Sequence, residues 1–525
     1  METSAISEKA VAGDVQRTDG ARGQSSAAAS ASVGESEISL RPRVADGPAG
    51  RQPGTSQWTH PFRKIAQEEW APALLVLFCD VVCWVGIYGF ASFIRHDAFY
   101  SSSFEYGIID IIQLAVIVQA LFIIGGYSHR TDTRGLTYTA DHILAMIAAL
   151  GISSLVLYGA ATFDQSMHPS RSAVLASFIL FTPVSLLYRR ALNKRVAAAS
   201  AGRAFLVIGA GKLAASFYEA YRSSVNKQRL EFVDVEQTRV GQPIAGPGSP
   251  AIEGNLSSKL GDASSRYSGI ILAERLERIR PELLAHLVRT QFQRTRVYTL
   301  ESFYEAHWRH VPVHSIDPFW PLQMGFQLSR TSPYHYVKRL FDIIASGALL
   351  LISSPLIVLI GCLIWITSGR PAIFRQIRVG REGDRFTAYK FRTMQMRFVE
   401  DDDIYTRSGD PRVTKVGYWL RKLRLDELPQ IWNVLTGDMS LIGPRAEWIK
   451  CAERYEKKIP FYHFRHLVKP GITGWAQVNY PYGESEEDAM AKLQYDLYYI
   501  RHYSLKLDAM IVLKTIHTML FGKGR

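Results

Sequence analysis

The chemistry in this sequence concentrates between residues 370 and 445. Asp426 and Glu427 are adjacent carboxylates inside a run where Leu425, Leu428, Ile431, Trp432 and Leu435 recur at helical spacing. Pro429 suits the first turn of such a helix. Both acids are therefore expected at a helix N-terminus, the positive end of the dipole, beside free amides. One carboxylate there can attack phosphorus as a nucleophile, while its neighbour holds a divalent metal that neutralises a diphosphate. Acids at that position also serve as plain helix caps, so the pair alone does not choose. Thr436-Gly437-Asp438 and Gly443-Pro444-Arg445 read as turns, the second projecting an arginine. Residues 370–425 hold fourteen Lys/Arg against seven Asp/Glu. Such a cluster suits phosphate oxygens, which arginine grips in bidentate fashion, or an anionic lipid surface.

The elements that must position these groups begin with residues 343–366, which carry no charge. Lys338 and Arg339 precede them, and Arg370, Arg375, Arg378 and Arg381 follow. A crossing helix cannot place both basic flanks on the cytoplasmic side. Ser353, Ser354 and Pro355 sit at the centre, where proline removes a backbone donor and kinks a helix. The expectation is a bent helix over about 340–367 that enters and leaves one leaflet, hinged at Ser354-Pro355; a fifth span is the alternative. Upstream, four apolar segments at about 71–94, 108–127, 143–163 and 172–188 each have the length that crosses a hydrocarbon core. Arg63, Lys64, Arg130, Arg134 and Arg189–Arg190 flank them so that the N-terminus and everything after residue 190 fall in the cytoplasm. Asp80 lies inside the first span and should face other helices.

Between spans and bent helix, residues 203–325 alternate strand and helix signals. Gly209-x-Gly211-x-x-Ala214 after the apolar FLVI, with Asp234 further on, predicts a doubly wound, Rossmann-like α/β domain in which Gly209, Gly211 and Asp234 are candidates for nucleotide contact. The same glycines also serve simple strand–helix packing. No Tyr-x-x-x-Lys pair lies in 203–325; the pair Tyr334–Lys338 falls at the head of the next apolar segment. Residues 1–58, rich in Ala, Ser, Gly and Arg, read as a disordered tail. Residues 508–521 are apolar but short, which predicts an interfacial helix. His463 and His466 lack a metal-ligand pattern. Four cysteines fit neither a disulfide framework nor a zinc pattern. The formal net charge of +13 accompanies a mean hydropathy of −0.02, so apolar and cationic stretches are segregated. With the cations at membrane boundaries, nucleic acid is excluded as a partner in favour of membrane lipids and a phosphorylated substrate.

The motifs VKRLFDI (337–343), FRQIRVGREGDRFTAYKFRTM (374–394), LDELPQIWNVLTGDMSLIGPR (425–445) and KPGITGWAQVN (469–479) resemble the bacterial sugar transferases, the monotopic polyprenyl-phosphate phosphoglycosyl transferases. The resemblance covers residues 335–525 and, with the four spans and the α/β domain, the large form that starts exopolysaccharide synthesis. It implies a mostly α catalytic domain on the cytoplasmic face of a bacterial inner membrane. It implies transfer of hexose-1-phosphate from a UDP-sugar, glucose before galactose, to undecaprenyl phosphate by a ping-pong route. Asp426 would be the nucleophile, Glu427 the Mg²⁺ ligand and Arg445 a phosphate contact, with Arg424, Lys390 and Arg392 as further phosphate-binding candidates. A homodimer is compatible with it. Where the family has Gly-Pro-Arg-Pro, this chain has Ala446, which questions the rigidity of the Arg445 loop. A membrane-tethered regulatory protein and a nicotinamide-dependent enzyme in the α/β domain are the competing classes; the intact Asp426, Glu427 and Arg445 oppose the first, the missing Tyr-x-x-x-Lys the second.

Overall fold

A computed structural model describes residues 70–96, 104–128, 131–162, 171–200, 203–224, 228–261, 266–292, 295–316, 320–322, 326, 332–395, 410–481, 483 and 485–521. The expectation of a disordered tail over 1–58 lies outside the described residues. Helices α1 (Ala71–His96), α2 (Phe104–Ile123), α3 (Leu136–Ala161) and α4 (Arg171–Ser200) come first. Among the described residues, four stretches are long and apolar enough to cross a membrane: Ala71–Ile94, Leu136–Gly159, Arg171–Arg195 and Tyr334–Ser368. The second expected span differs. Its helix starts four residues earlier and ends at Ile123, because Gly125 takes a positive φ of 79° and turns the chain; the described apolar part, Asp110–Ile123, is shorter than a span. Asp80 is buried among helices, as a carboxylate in this setting must be. It accepts from Arg189 at 2.6 and 2.8 Å, from Tyr127 at 2.7 Å and from Tyr188.

The α/β segment forms a parallel sheet flanked by helices. Its strands are β1 (Ala204–Ile208), β2 (Arg229–Val233), β3 (Ile252–Glu253), β4 (Tyr267–Leu272) and β5 (Val297–Thr299), in the order β3-β2-β1-β4-β5. All five residues of central β1 are buried, the continuous apolar run a strand needs when helices cover both faces. Helix α5 (Lys212–Arg222) follows β1; α6 (Leu256–Gly261), α7 (Pro281–Phe292) and α8 (Leu300–Trp308) complete the layers. Val311, Val313, Trp320 and Phe326, most of them within 203–325, pack instead into the core of the C-terminal region with Tyr462, Trp475, Leu497 and Ile511.

Helix α9 (Tyr334–Ser368) is helical throughout, with Pro355 inside it. Ser353 and Ser354 donate to the carbonyls of Leu349 and Leu351, local bonds of the kind that bend helices. Both ends of α9 are held by the same C-terminal region. At the first end, Tyr334 and Lys338 donate to Asp508 at 2.6 and 2.5 Å, and Arg339 donates to the carbonyls of Val434 and Leu435. The Tyr-x-x-x-Lys spacing thus places two donors on one carboxylate. At the other end, Ile360 and Ile364 pack with Phe391 and Leu420. Between them, Leu351, Ile352, Val358 and Leu359 are bare of protein.

Beyond α9 run the antiparallel hairpin β6 (Ile373–Val379) and β7 (Arg385–Phe391), then α10 (Lys415–Lys422) and α11 (Gln430–Thr436). The short parallel pair β8 (Ser440–Ile442) and β9 (Gly471–Thr473) brackets α12 (Ile449–Lys458), and α13 (Trp475–Asn479), α14 (Glu486–Arg501) and α15 (Leu505–Phe521) close the chain. Rather than lying apart as an interfacial helix, α15 docks on the membrane bundle. Lys506 sits 3.5 Å over the Phe122 ring, and His517 pairs with Asp141 of α3 at 2.9 Å.

Candidate active site

Asp426 and Glu427 do not begin a long helix. They occupy a separate 3-10 turn, Leu425–Glu427, entered through Arg424 in the left-handed region at φ 58°. Pro429 is the N-cap of α11 rather than part of its first turn. The apolar spacing spans two elements, which is why Trp432 is exposed while Ile431 is buried.

Two elements reach Glu427 and a third braces them. Lys390 lies on β7 and donates to Glu427 Oε1 at 2.8 Å; Arg445 reaches the same oxygen at 2.8 Å from the loop after β8. Asn433 on the buried face of α11 ties the parts together, donating to Thr387 O at 2.8 Å and accepting from Tyr389 N at 3.2 Å. The loop bearing Arg445 is fixed by close backbone approach. A Cβ on Gly474 would strike the Gly443 carbonyl, so the Gly-Pro-Arg turn and the Pro-Gly-Ile-Thr-Gly segment fit only as glycines. Arg465 donates to Arg445 O at 3.0 Å while pairing with buried Asp496 at 2.9 Å, and Arg378 donates to Ala446 O. With Ala446 in place of proline, two arginines hold the loop.

The electrostatics separate the two acids. Burial pushes the Glu427 carboxyl up, but Arg445 and Lys390 hold it well below the usual carboxylate range. Burial, then the Glu427 charge, raises Asp426, with Lys390, Arg421 and Arg445 opposing in part. Burial lowers Lys390 to about 8 against the pull of Glu427, helped by Arg445 and Arg378. The result is a firmly ionised acid beside a more basic one, facing a cationic wall. That arrangement suits a carboxylate nucleophile next to bound phosphates. Mg²⁺ asks for one or two carboxylates plus substrate phosphates, and these adjacent, mutually repelling acids fit that role. No cluster of three or more His, Cys, Asp or Glu suited to a metal occurs among the described residues.

The other sequence candidates make different contacts. Arg392 is buried and donates to the carbonyls of Ser368, Gly369 and Arg370, closing the C-terminal end of α9. Arg424 is exposed at the turn entry. Ser354 and Pro355 lie midway along α9. In the α/β domain, Asp234 accepts from the amides of Glu236 and Arg239 and from Thr238, so it folds its own loop. Arg239 donates to Ala210 O between the two glycines, and a Cβ on Gly211 would lie 3.6 Å from a Glu274 carboxylate oxygen. Gly209, at φ 135°, lets β1 approach Ala273, whose carbonyl oxygen would lie 2.5 Å from a Cβ there. His466 is buried and pushed down to about 3 by burial and by Arg465. Arg378, read from the sequence only as a basic flank, joins Asn433 and Arg465 as positioning residues the sequence did not single out; Asn433, between Ile431 and Val434, was the available signal.

The model of the family described as bacterial sugar transferase matches residues 333–522. A UDP-N-acetylgalactosamine-undecaprenyl-phosphate N-acetylgalactosaminephosphotransferase of Aeromonas hydrophila is 39% identical over 274 residues, 52% of this chain and 64% of that protein. A UDP-glucose:undecaprenyl-phosphate glucose-1-phosphate transferase of Klebsiella pneumoniae is 45% identical over 189 residues, 36% of this chain and 41% of that one. The matches thus cover less than two thirds of either relative. Exopolysaccharide production protein PSS of Rhizobium leguminosarum bv. phaseoli is 37% identical over 195 residues, 36% of this chain and 98% of its own length. The chain belongs to the bacterial sugar transferase family.

Proposed function

We propose that this protein transfers hexose-1-phosphate from a UDP-sugar to undecaprenyl phosphate at the cytoplasmic leaflet of a bacterial inner membrane, starting exopolysaccharide synthesis. The observation that carries the reading is Glu427 clamped by Lys390 and Arg445 beside the more basic Asp426. In the first half-reaction an Asp426 oxygen attacks the sugar-bearing phosphorus. The new O–P bond forms as the bond to UMP breaks, and UMP leaves with the electron pair. In the second, an oxygen of undecaprenyl phosphate attacks the same phosphorus and Asp426 departs as carboxylate. Arg445 and Lys390 hold phosphate oxygens as charge shifts to the leaving group. Glu427 would hold Mg²⁺, which offsets diphosphate charge.

The membrane arrangement supports delivery of the lipid. Crossing a bilayer separates helix ends by ~30 Å, yet both ends of α9 are held by one domain while its apolar middle is bare. Those contacts favour a helix that dips into one leaflet. Tyr418, Trp419, Leu423 and Trp432 are exposed near Asp426, aromatic and apolar groups suited to the headgroup level.

The test is to incubate the purified protein with a radiolabelled UDP-sugar and no lipid acceptor. UDP-glucose is the first donor, with UDP-galactose and UDP-N-acetylgalactosamine alongside, the last because the Aeromonas relative gives the longer match. A covalent phosphosugar should form on the wild type and be absent from Asp426→Asn. Full turnover by that variant would remove Asp426 from the nucleophile role.

A further inference from the structure

The first two turns of α9 carry a charged face on an otherwise apolar helix. His335, Lys338, Arg339 and Asp342 follow the spacing that aligns side chains on one side. They line a shallow, open-sided cleft together with Arg381, Lys469, Ser440 and Tyr503. Tyr336, Val337, Leu340 and Phe341, on the rest of the same turns, are exposed. The cleft therefore sits where α9 leaves the domain for lipid.

The cations in it are unevenly partnered. Lys338 is neutralised by Asp508 at 2.5 Å, and Asp342 accepts from Leu441 N at 3.0 Å. Arg339 is bound by the carbonyls of Val434 and Leu435, which carry no full charge. Among the described residues no hydrogen bond or ion pair reaches Lys469 Nζ. Arg381 Nε is buried without a partner among them, while its Nη2 meets only the exposed Glu382 at 3.2 Å. Lys338, Arg339, Arg381 and Lys469 thus face Asp342 and Asp508, with Glu382 at the rim and Asp438 close enough to act on Lys469. Burial and Arg339 both lower Lys469, which marks the crowding of positive charge.

This cleft is not the Asp426–Glu427 centre. Lys390 and Arg385 are five residues apart on β7, about 17 Å at ~3.3 Å per residue. Arg381 lies beyond Arg385, at the hairpin tip.

We propose that the cleft is a second phosphate-binding site, placed so that the headgroup of an anionic phospholipid at the foot of α9 reaches Lys469 and Arg381. Arginine and lysine donors bind phosphate oxygens by charge-assisted bonds, and His335 adds a neutral ring beside them. An occupant here partners Lys469 and Arg381 and ties the domain to the bilayer surface.

The full chain in uncharged detergent is titrated calorimetrically with dihexanoyl phosphatidylglycerol, with inorganic phosphate, and with dihexanoylglycerol, which has no phosphate. The expected result is binding of phosphatidylglycerol but not dihexanoylglycerol, weakened about tenfold or more by the double variant Lys469→Gln/Arg381→Gln. Lys469→Arg/Arg381→Lys should keep the affinity, separating loss of charge from misfolding, and Arg445→Gln should keep it too. Inorganic phosphate that competes at similar concentration makes the free anion a sufficient ligand; phosphatidylglycerol binding without competition makes the headgroup the source. Equal binding by wild type and the Gln/Gln variant overturns the site. So does absence of binding by either phosphate probe, a charge-keeping variant as weak as the Gln/Gln one, or loss of binding in Arg445→Gln.

Discussion

Replacing Arg445 by glutamine should raise the pKa of Lys390. Both side chains donate to one oxygen, Glu427 Oε1, at 2.8 Å, so their nitrogens lie at most twice 2.8 Å apart. Two unit charges at that separation repel by about 3 kcal/mol at an effective dielectric of about 20, which is roughly two pKa units. Lys390, lowered to about 8 chiefly by burial, should move toward about 10 when Arg445 is neutral. Glu427 keeps Lys390 as its partner, so it stays ionised over that range. Near pH 9 the wild-type lysine is mostly the free amine, whereas the variant's is mostly ammonium. Amine labelling as a function of pH, read at Lys390 by mass spectrometry of the intact detergent-solubilised protein, measures this without requiring turnover. A labelling midpoint that stays near 8, or falls, would refute the coupling of the two cations through Glu427.

Other outcomes follow from the same geometry. Because burial and Glu427 raise Asp426, activity should decline on acidification at a pH above the ordinary aspartate value, and Lys390→Met should move that limb higher still; a downward move in the pH–rate profile contradicts the assignment. Arg392→Met should cost about 2–3 kcal/mol of stability through its lost carbonyl contacts, with turnover per folded molecule unchanged. Loss of turnover in a fully folded Arg392→Met protein would return that arginine to the phosphate site. Gly474→Ala should destabilise by about 1–3 kcal/mol or more, seen as a lower melting temperature, because its new methyl meets the Gly443 carbonyl.

What the sequence disclosed was set by periodicity and by charge. The apolar lengths of α1, α3, α4 and α9 were readable because a bilayer imposes them. Lys390 could be named from the basic cluster it lies in, whereas Glu427 and Arg445 were named from the motifs shared with the family. The split between the Asp426 turn and α11 was not readable, since leucine spacing continues smoothly from a 3-10 turn into a helix. Nor were the partners of Arg392 and Asp234: both have the right chemistry for a ligand, and only tertiary contacts show backbone groups already satisfying them. The docking of α15 on the bundle was hidden for a related reason, because a short apolar helix suits a lipid surface and a protein groove equally well.

Anchoring α9 at both ends also has a mechanical consequence. A spanning helix must match its apolar length to the bilayer, and it tilts or deforms the lipid when it cannot. In the proposed one-leaflet arrangement, the reach of α9 is set instead by its attachments at Lys338 and Ile364 to one folded body. Under that arrangement, the height of Asp426 relative to the headgroups is then a constant of the protein, indifferent to how thick the membrane is, while α1, α3 and α4 are the parts that respond to thickness.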